Sequence, residues 1–187
     1  MKRSTRGFTL IELMVTVLVL AIIVTIALPN LRPIILRNKV ASISNEFTGA
    51  LQQTRALAIS KNSCMSLCAS VNVTASNTAT CNNQSTDDFQ AGWLIFVNAA
   101  CDAAQTTPTA AGGTLTFVRA GETGGYSIKP SAASMSIVMF DPRGFANLAA
   151  SGNFQIKTPN DEASYRRTIC LDAAGRATVR AYTTACN

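Results

Sequence analysis

Histidine is missing from this 187-residue chain. Without an imidazole, no side chain ordinarily titrates near neutral pH. That excludes His-based acid–base work, Ser-His and Cys-His nucleophile pairs, and His-containing zinc sites. Charge is sparse as well: charged residues make up 14% of the chain and aromatics 6%, with a single Trp. No paired acids are spaced for carboxylate catalysis, and no Gly-rich phosphate loop is present; Gly124-Gly125 reads as a turn. Asp87-Asp88 resembles half of a calcium loop, but no Asp/Asn ladder with a distal Glu follows, so it reads as a solvated loop. These absences point away from an enzyme, and neither a cofactor nor a metal is expected.

What the chain does have is a long apolar run near its start. From Phe8 to Leu28 every residue is apolar or Thr except Glu12, close to the roughly 20 residues a helix needs to cross a bilayer core. Lys2, Arg3 and Arg6 precede it with no acid among them. That bias puts the N-terminus in the cytoplasm and the remainder beyond the inner membrane. Glu12 is the anomaly, because a carboxylate in such a span costs about 2.5–3.5 kcal/mol on insertion scales. Two readings stand on the residue alone. Either the chain is cut between Gly7 and Phe8, so that Glu12 pairs with the freed ammonium of a neighbouring copy, or Glu12 snorkels to the headgroups of an ordinary anchor.

The string Gly7-Phe8-Thr9-Leu10-Ile11-Glu12-Leu13 after a short basic leader resembles the processing motif of type IV prepilins and type II secretion pseudopilins. The resemblance implies a membrane-embedded prepilin peptidase that cuts after Gly7 and methylates the new N-terminus, Phe8. It gives Glu12 a part in subunit docking, and it matches Pro29 to a helix-bending proline.

Beyond Pro29 the residues Val40, Ile43, Phe47, Ala50, Leu51, Thr54, Leu57 and Ala58 recur at spacings of three and four, one face of an amphipathic helix. Pro29 and Pro33 should bend or loosen the helix at the junction, since each lacks an amide donor. Gly49 is either a tolerated helix weakness or a mark of close packing. From Ser63 the period changes to that of strands, expected near 64–69, 92–97, 114–119, 126–129, 136–140, 154–157, 167–171 and 176–182. Trp93 lies in the second of these and reads as core. Asp141-Pro142-Arg143-Gly144 and Asp172-Ala173-Ala174-Gly175 read as turns. The expected architecture is α+β: a long N-terminal helix, transmembrane in its first half and amphipathic in its second, packed on antiparallel sheet. The expected segments are a cleaved leader 1–7, a transmembrane and assembly helix 8–28, a spine 29–61 and a β-rich head 62–187.

Six cysteines in a domain placed outside the cytoplasm read as disulfides. Cys170 and Cys186 bracket the terminal hairpin, Cys68 and Cys81 close a polar loop, and Cys64 and Cys101 remain. The formal charge of +6 falls to about +3 once the leader's three cations are gone, which does not by itself indicate nucleic acid.

The head is also similar to the FimU/FimT/GspH group of minor pilins and pseudopilins. The matching residues are Gly92-Trp93 before an apolar strand, Phe140-Asp141-Pro142-Arg143-Gly144, Ile169-Cys170-Leu171, Gly175-Arg176 and the terminal Cys. This implies two sheets packed on the helix, and a subunit that primes or caps a type IV pilus beside other minor and major pilins. The location implied is the inner membrane with a periplasmic head, then a pilus or pseudopilus. Two other roles stay open: a type II secretion pseudopilin, and a DNA-uptake pilin. The last would use a patch of Arg166, Arg167, Arg176 and Arg180 on double-stranded DNA, with Tyr165 and Tyr182 near enough to stack bases. DNA-binding relatives carry Gly-Arg-x-Arg at this hairpin, but Thr178 stands where the second Arg would be. The alternative is a solvated strand face.

Overall fold

The computed structural model describes residues 7–73, 78–82, 88–122, 124–132, 135–148, 151–182 and 184–186, without the side chains of 26–30. Asp87 and the side chain of Pro29 therefore lie outside the described residues. The chain divides into two units, Met1–Asn38 and Lys39–Asn187. A single helix, α1 (Leu10–Lys61), is assigned across both and continues through Pro33.

In the first unit, α1 begins with a side-chain cap. The Thr9 carbonyl accepts from the amide of Leu13 at 3.2 Å, and Thr9 Oγ1 accepts from the amide of Glu12 at 3.3 Å. Thr9 is thus the residue that satisfies amides left over in the first turn, and Glu12 is its partner at the third helical position, the Thr-x-x-Glu spacing of a capping box. An acid there also complements the positive end of the helix dipole.

The second unit is built on the other half of α1. Val40, Ile43, Phe47, Ala50, Leu51, Thr54 and Ala58 are all buried there, the stripe that the spacing of three and four selects. Gly49, just off this stripe, is not a close-packing position: a Cβ added there meets nothing within 4 Å. Among the described residues eight strands follow: β1 (Met65–Ala69), β2 (Gly92–Val97), β3 (Thr114–Ala120), β4 (Ser127–Pro130), β5 (Ile137–Phe140), β6 (Gly152–Lys157), β7 (Arg167–Leu171) and β8 (Ala177–Ala181). They form two four-stranded antiparallel sheets, ordered β3-β2-β1-β5 and β4-β6-β7-β8.

The first sheet is covered on both sides, which is why its central strands read as nearly unbroken apolar runs. Met65, Leu67, Trp93, Ile95, Val138 and Phe140 join the main core with α1. On the reverse face Cys68, Leu94, Phe96 and Ile137 pack with Ala79 and Cys81. The second sheet alternates instead. Phe154, Ile156, Ile169 and Leu171 enter the main core, while Asn153, Gln155, Thr168 and Cys170 take the other parity. Phe47 holds the centre. Its ring lies 4.9 Å from Phe89, 5.0 Å from Phe154 and 5.7 Å from Trp93, so one helical residue touches an aromatic of each sheet.

The structure joins Cys64 to Cys101, Cys68 to Cys81 and Cys170 to Cys186, with Cα separations of 5.3, 5.5 and 5.5 Å. The first two bonds fasten long loops to β1. The third fastens the C-terminal segment to β7.

Candidate functional site

The residues around the Gly7–Phe8 bond stand open. Gly7 to Thr9 precede the helix, Gly7 is exposed, and Phe8 is 80% exposed. A peptidase needs an accessible, non-helical bond, and this one sits immediately before the cap of α1. Glu12 is also exposed, and among the described residues no cation of this chain pairs with its carboxylate. From Leu10 to Thr25 the large apolar side chains of the helix are 43–76% exposed, a surface with no cover of its own. Among the described residues no helix is long and apolar enough to cross a membrane; side-chain description of the apolar run stops at Thr25.

In the head, a polar seam joins α1 to β3. Arg119 is 9% exposed and gives Glu46 two parallel hydrogen bonds, Nε to Oε1 at 2.9 Å and Nη2 to Oε2 at 3.0 Å. Its Nη1 donates to the carbonyl of Gln90 at 3.2 Å, and its guanidinium lies 4.5 Å over the Trp93 ring. Glu122 continues the seam, 3.8 Å from Arg119 and 2.7 Å from Lys39. The hydrogen bond and charge of Lys39 hold the Glu122 carboxyl below its ordinary range, with a smaller contribution from Arg119 against the opposing effect of burial.

A second seam joins the two predicted turns. Arg55 of α1 donates from Nε to the carbonyl of Gly144 at 3.0 Å, and Ala146 donates its amide to the carbonyl of Ala173 at 3.0 Å. Gly144 and Gly175 have φ of +85° and +76°. A Cβ on Gly175 would stand 2.3 Å from the Gly144 oxygen and 2.8 Å from Arg55 Nε, so only glycine fits there. Each turn is closed by its Asp. Burial raises the pKa of Asp141, but the amides of Phe145 and Arg143 and the Arg143 guanidinium outweigh it and leave the carboxyl below its ordinary value. Asp172 behaves likewise: burial raises it, and the amide and guanidinium of Arg176 outweigh that and leave it below its ordinary value.

The four arginines suggested for nucleic acid do not all share one face. Arg166 is ion-paired with Asp161, stacks 4.8 Å over Tyr182 and has a side chain only 16% exposed. Arg167 shares the strand face of Ile169 and Leu171, whereas Arg180 lies opposite Thr168 on the reverse face. Arg176 spends its Nε on Asp172 at 2.8 Å. Arg180 and Arg176 do line one hollow of about 300 Å³, but Asp172 lines it too, and Arg180 Nη1 also reaches the carbonyl of Ala185 at 3.4 Å.

Sequence reasoning missed three of these features. Thr9 as the cap was available from its three-residue spacing to Glu12. Asp88 is not a solvated loop residue: its Oδ1 accepts from Gln90 at 2.9 Å and from Ile128 of β4 at 2.7 Å, binding the two sheets' segments together. Arg119 as the anchor of Glu46 had no local signal at all. Among the described residues no cluster of three or more metal-ligating side chains occurs.

A capped helix behind an exposed Gly-Phe junction, with two antiparallel sheets packed on its second half, defines the type IV pilin class. The chain belongs to the family described as type II transport protein GspH, whose model matches residues 44–175. The prokaryotic N-terminal methylation motif matches residues 2–28. Two crystal forms of the type IV minor pilin FimU of Pseudomonas aeruginosa have the same fold. One has a TM-score of 0.56 at 17% identity, over 77% of this chain and 90% of that one; the other has 0.54 at 20%, over 75% and 91%. No curated protein matches the chain. Proteins of this family are structural subunits, not enzymes, and the methylation motif implies cleavage by a prepilin peptidase and assembly with other pilins.

Proposed function

We propose that this chain is a minor pilin that primes or caps a type IV pilus. The observation that carries the reading is the open Gly7–Phe8 bond followed by a first-turn Glu12 with no cation from its own chain among the described residues. After cleavage, Phe8 becomes an α-ammonium, and a carboxylate in apolar surroundings calls for such a partner. Before cleavage the helix anchors the chain in the inner membrane with the head in the periplasm. Afterwards its uncovered apolar side chains pack against like helices, and Glu12 meets the ammonium of a neighbour. Pro29, where the run ends, lets that helix adjust within the bundle.

A Glu12→Ala variant tests this. It should fold, be cleaved after Gly7, and lose incorporation into filaments by at least tenfold. Normal incorporation of a cleaved, folded Glu12→Ala chain overturns the proposal.

One observation favours a second reading, a pseudopilin of type II secretion: the matching family model is described as a type II transport protein. Deleting the chain separates the two, since loss of surface pili supports the first and loss of exoprotein secretion with intact pili supports the second. DNA uptake would rest on Arg176 and Arg180, which share their hollow with Asp172.

A further inference from the structure

Unpaired strand edges invite pairing with other chains, and proteins normally guard them with charge, proline, short length or cover. Three of the four edges here are guarded. β4 is four residues long, carries Lys129 and ends on Pro130. β5 is also four residues, and its last residue, Phe140, bridges onward to Ala146. β8 carries Arg180 and follows Arg176.

Among the described residues β3 is the exception. It is the longest strand there, seven residues, and it lies at the end of its sheet. A shift of register occurs opposite Ile95 and Phe96, but Phe117 to Ala120 pair regularly with β2. The only charge on β3 is Arg119, and Glu46 draws it inward. Beside these residues runs a groove of about 290 Å³ between α1 and β3. Gly49 and Ala50 form one wall, and Phe117, 40% exposed, forms the other with Trp93.

We propose that the edge of β3 from Phe117 to Ala120 is a docking surface for an extended strand from the head of another pilin-like subunit, with one large apolar side chain of that strand seated in the groove. This rests on the reading of the chain as a filament subunit. Only an extended backbone matches a row of unpaired strand amides and carbonyls, and a pocket alongside then selects a side chain. Apart from Gln53 the groove's walls are apolar, and its two charges neutralise each other, so the selected side chain is uncharged and largely apolar. A second copy pairing β3 to β3 would make a two-fold contact that closes at two chains. Filament subunits stacked with their N-terminal helices in one direction meet head to tail, so the incoming strand belongs to a different surface.

The test uses the full-length chain in its own cells with benzoylphenylalanine in place of Phe117, irradiated and analysed by peptide mass spectrometry. The expected adduct joins this position to a strand segment of another protein that itself begins with an N-methylated residue. A second variant, Gly49→Gln, fills the groove from the helix side. Because the site is open and Gln is the better helix former, its melting temperature should hold or rise while adduct yield falls at least tenfold. Adducts only to β3 of a second copy, no adduct from cleaved and incorporated chain, or an unchanged yield in Gly49→Gln would each overturn the docking proposal. A chain that keeps its leader while assembled would instead count against the filament reading itself.

Discussion

Arg119 of β3 and Glu46 of α1 meet fork to fork, 73 residues apart in sequence, at 2.9 and 3.0 Å. The guanidinium is buried against Trp93 while the Glu46 side chain is 42% exposed. The pair fixes the edge strand to the helix at the one place where a long, uncharged edge would otherwise fray.

Removing either partner should therefore matter more than a surface ion pair does. Glu46→Ala leaves a buried cation facing an apolar groove and should cost about 2–3 kcal/mol, the range for hydrogen bonds to charged groups lost from a partly buried site. Urea unfolding of the variant measures it. A cost of a few tenths of a kcal/mol would place the pair with ordinary surface bridges.

Acid should loosen the two turns closed by Asp141 and Asp172. Asp141 and Asp172 have folded pKa values below their ordinary value of 3.8. Their stabilisation is therefore fully present above pH 4 and is lost as pH falls through the lowered folded values. Thermal unfolding between pH 2 and pH 6 should show a falling melting temperature below pH 4, with a shallower fall in the double variant Asp141→Asn, Asp172→Asn. An equal fall in both proteins contradicts the assignment.

Gly175→Ala should be costly despite its small size. The added methyl meets the Gly144 carbonyl oxygen at 2.3 Å and the residue keeps a positive φ. Strain of this kind costs about 1–3 kcal/mol. The control is Gly49→Ala on α1, where an added Cβ meets nothing within 4 Å, which should stabilise by about 0.5–1 kcal/mol. Denaturant midpoints of the two variants on either side of the parent check the contrast.

Much of this molecule is visible in the residue pattern. The buried stripe from Val40 to Ala58 follows from spacing alone, because an amphipathic helix has no other way to hide those side chains. The eight strands lie within a residue or two of the apolar runs that suggest them. The terminal hairpin and the polar loop suggest Cys170–Cys186 and Cys68–Cys81, and the structure joins the remaining two, Cys64 and Cys101. What stays hidden is long-range and polar. Nothing near Arg119 names Glu46, and nothing near Asp88 names Ile128, because each bond closes only after helix and sheets have come together. The arginines are legible only in part. Spacing puts Arg176, Thr178 and Arg180 together along one hollow, whereas strand alternation sends Arg167 to the face opposite Arg180, and the pairing of Arg166 with Asp161 and of Arg176 with Asp172 has no simple signal.

Assembly of this chain turns on the bond between Gly7 and Phe8. Intact-mass and N-terminal peptide mass spectrometry of the chain recovered from assembled filaments tests it most directly. The expected species begins at N-methylated Phe8, with residues 1–7 absent. Filament-borne chain that still begins with the leader would leave Glu12 without the ammonium it is held to meet, and would contradict the account.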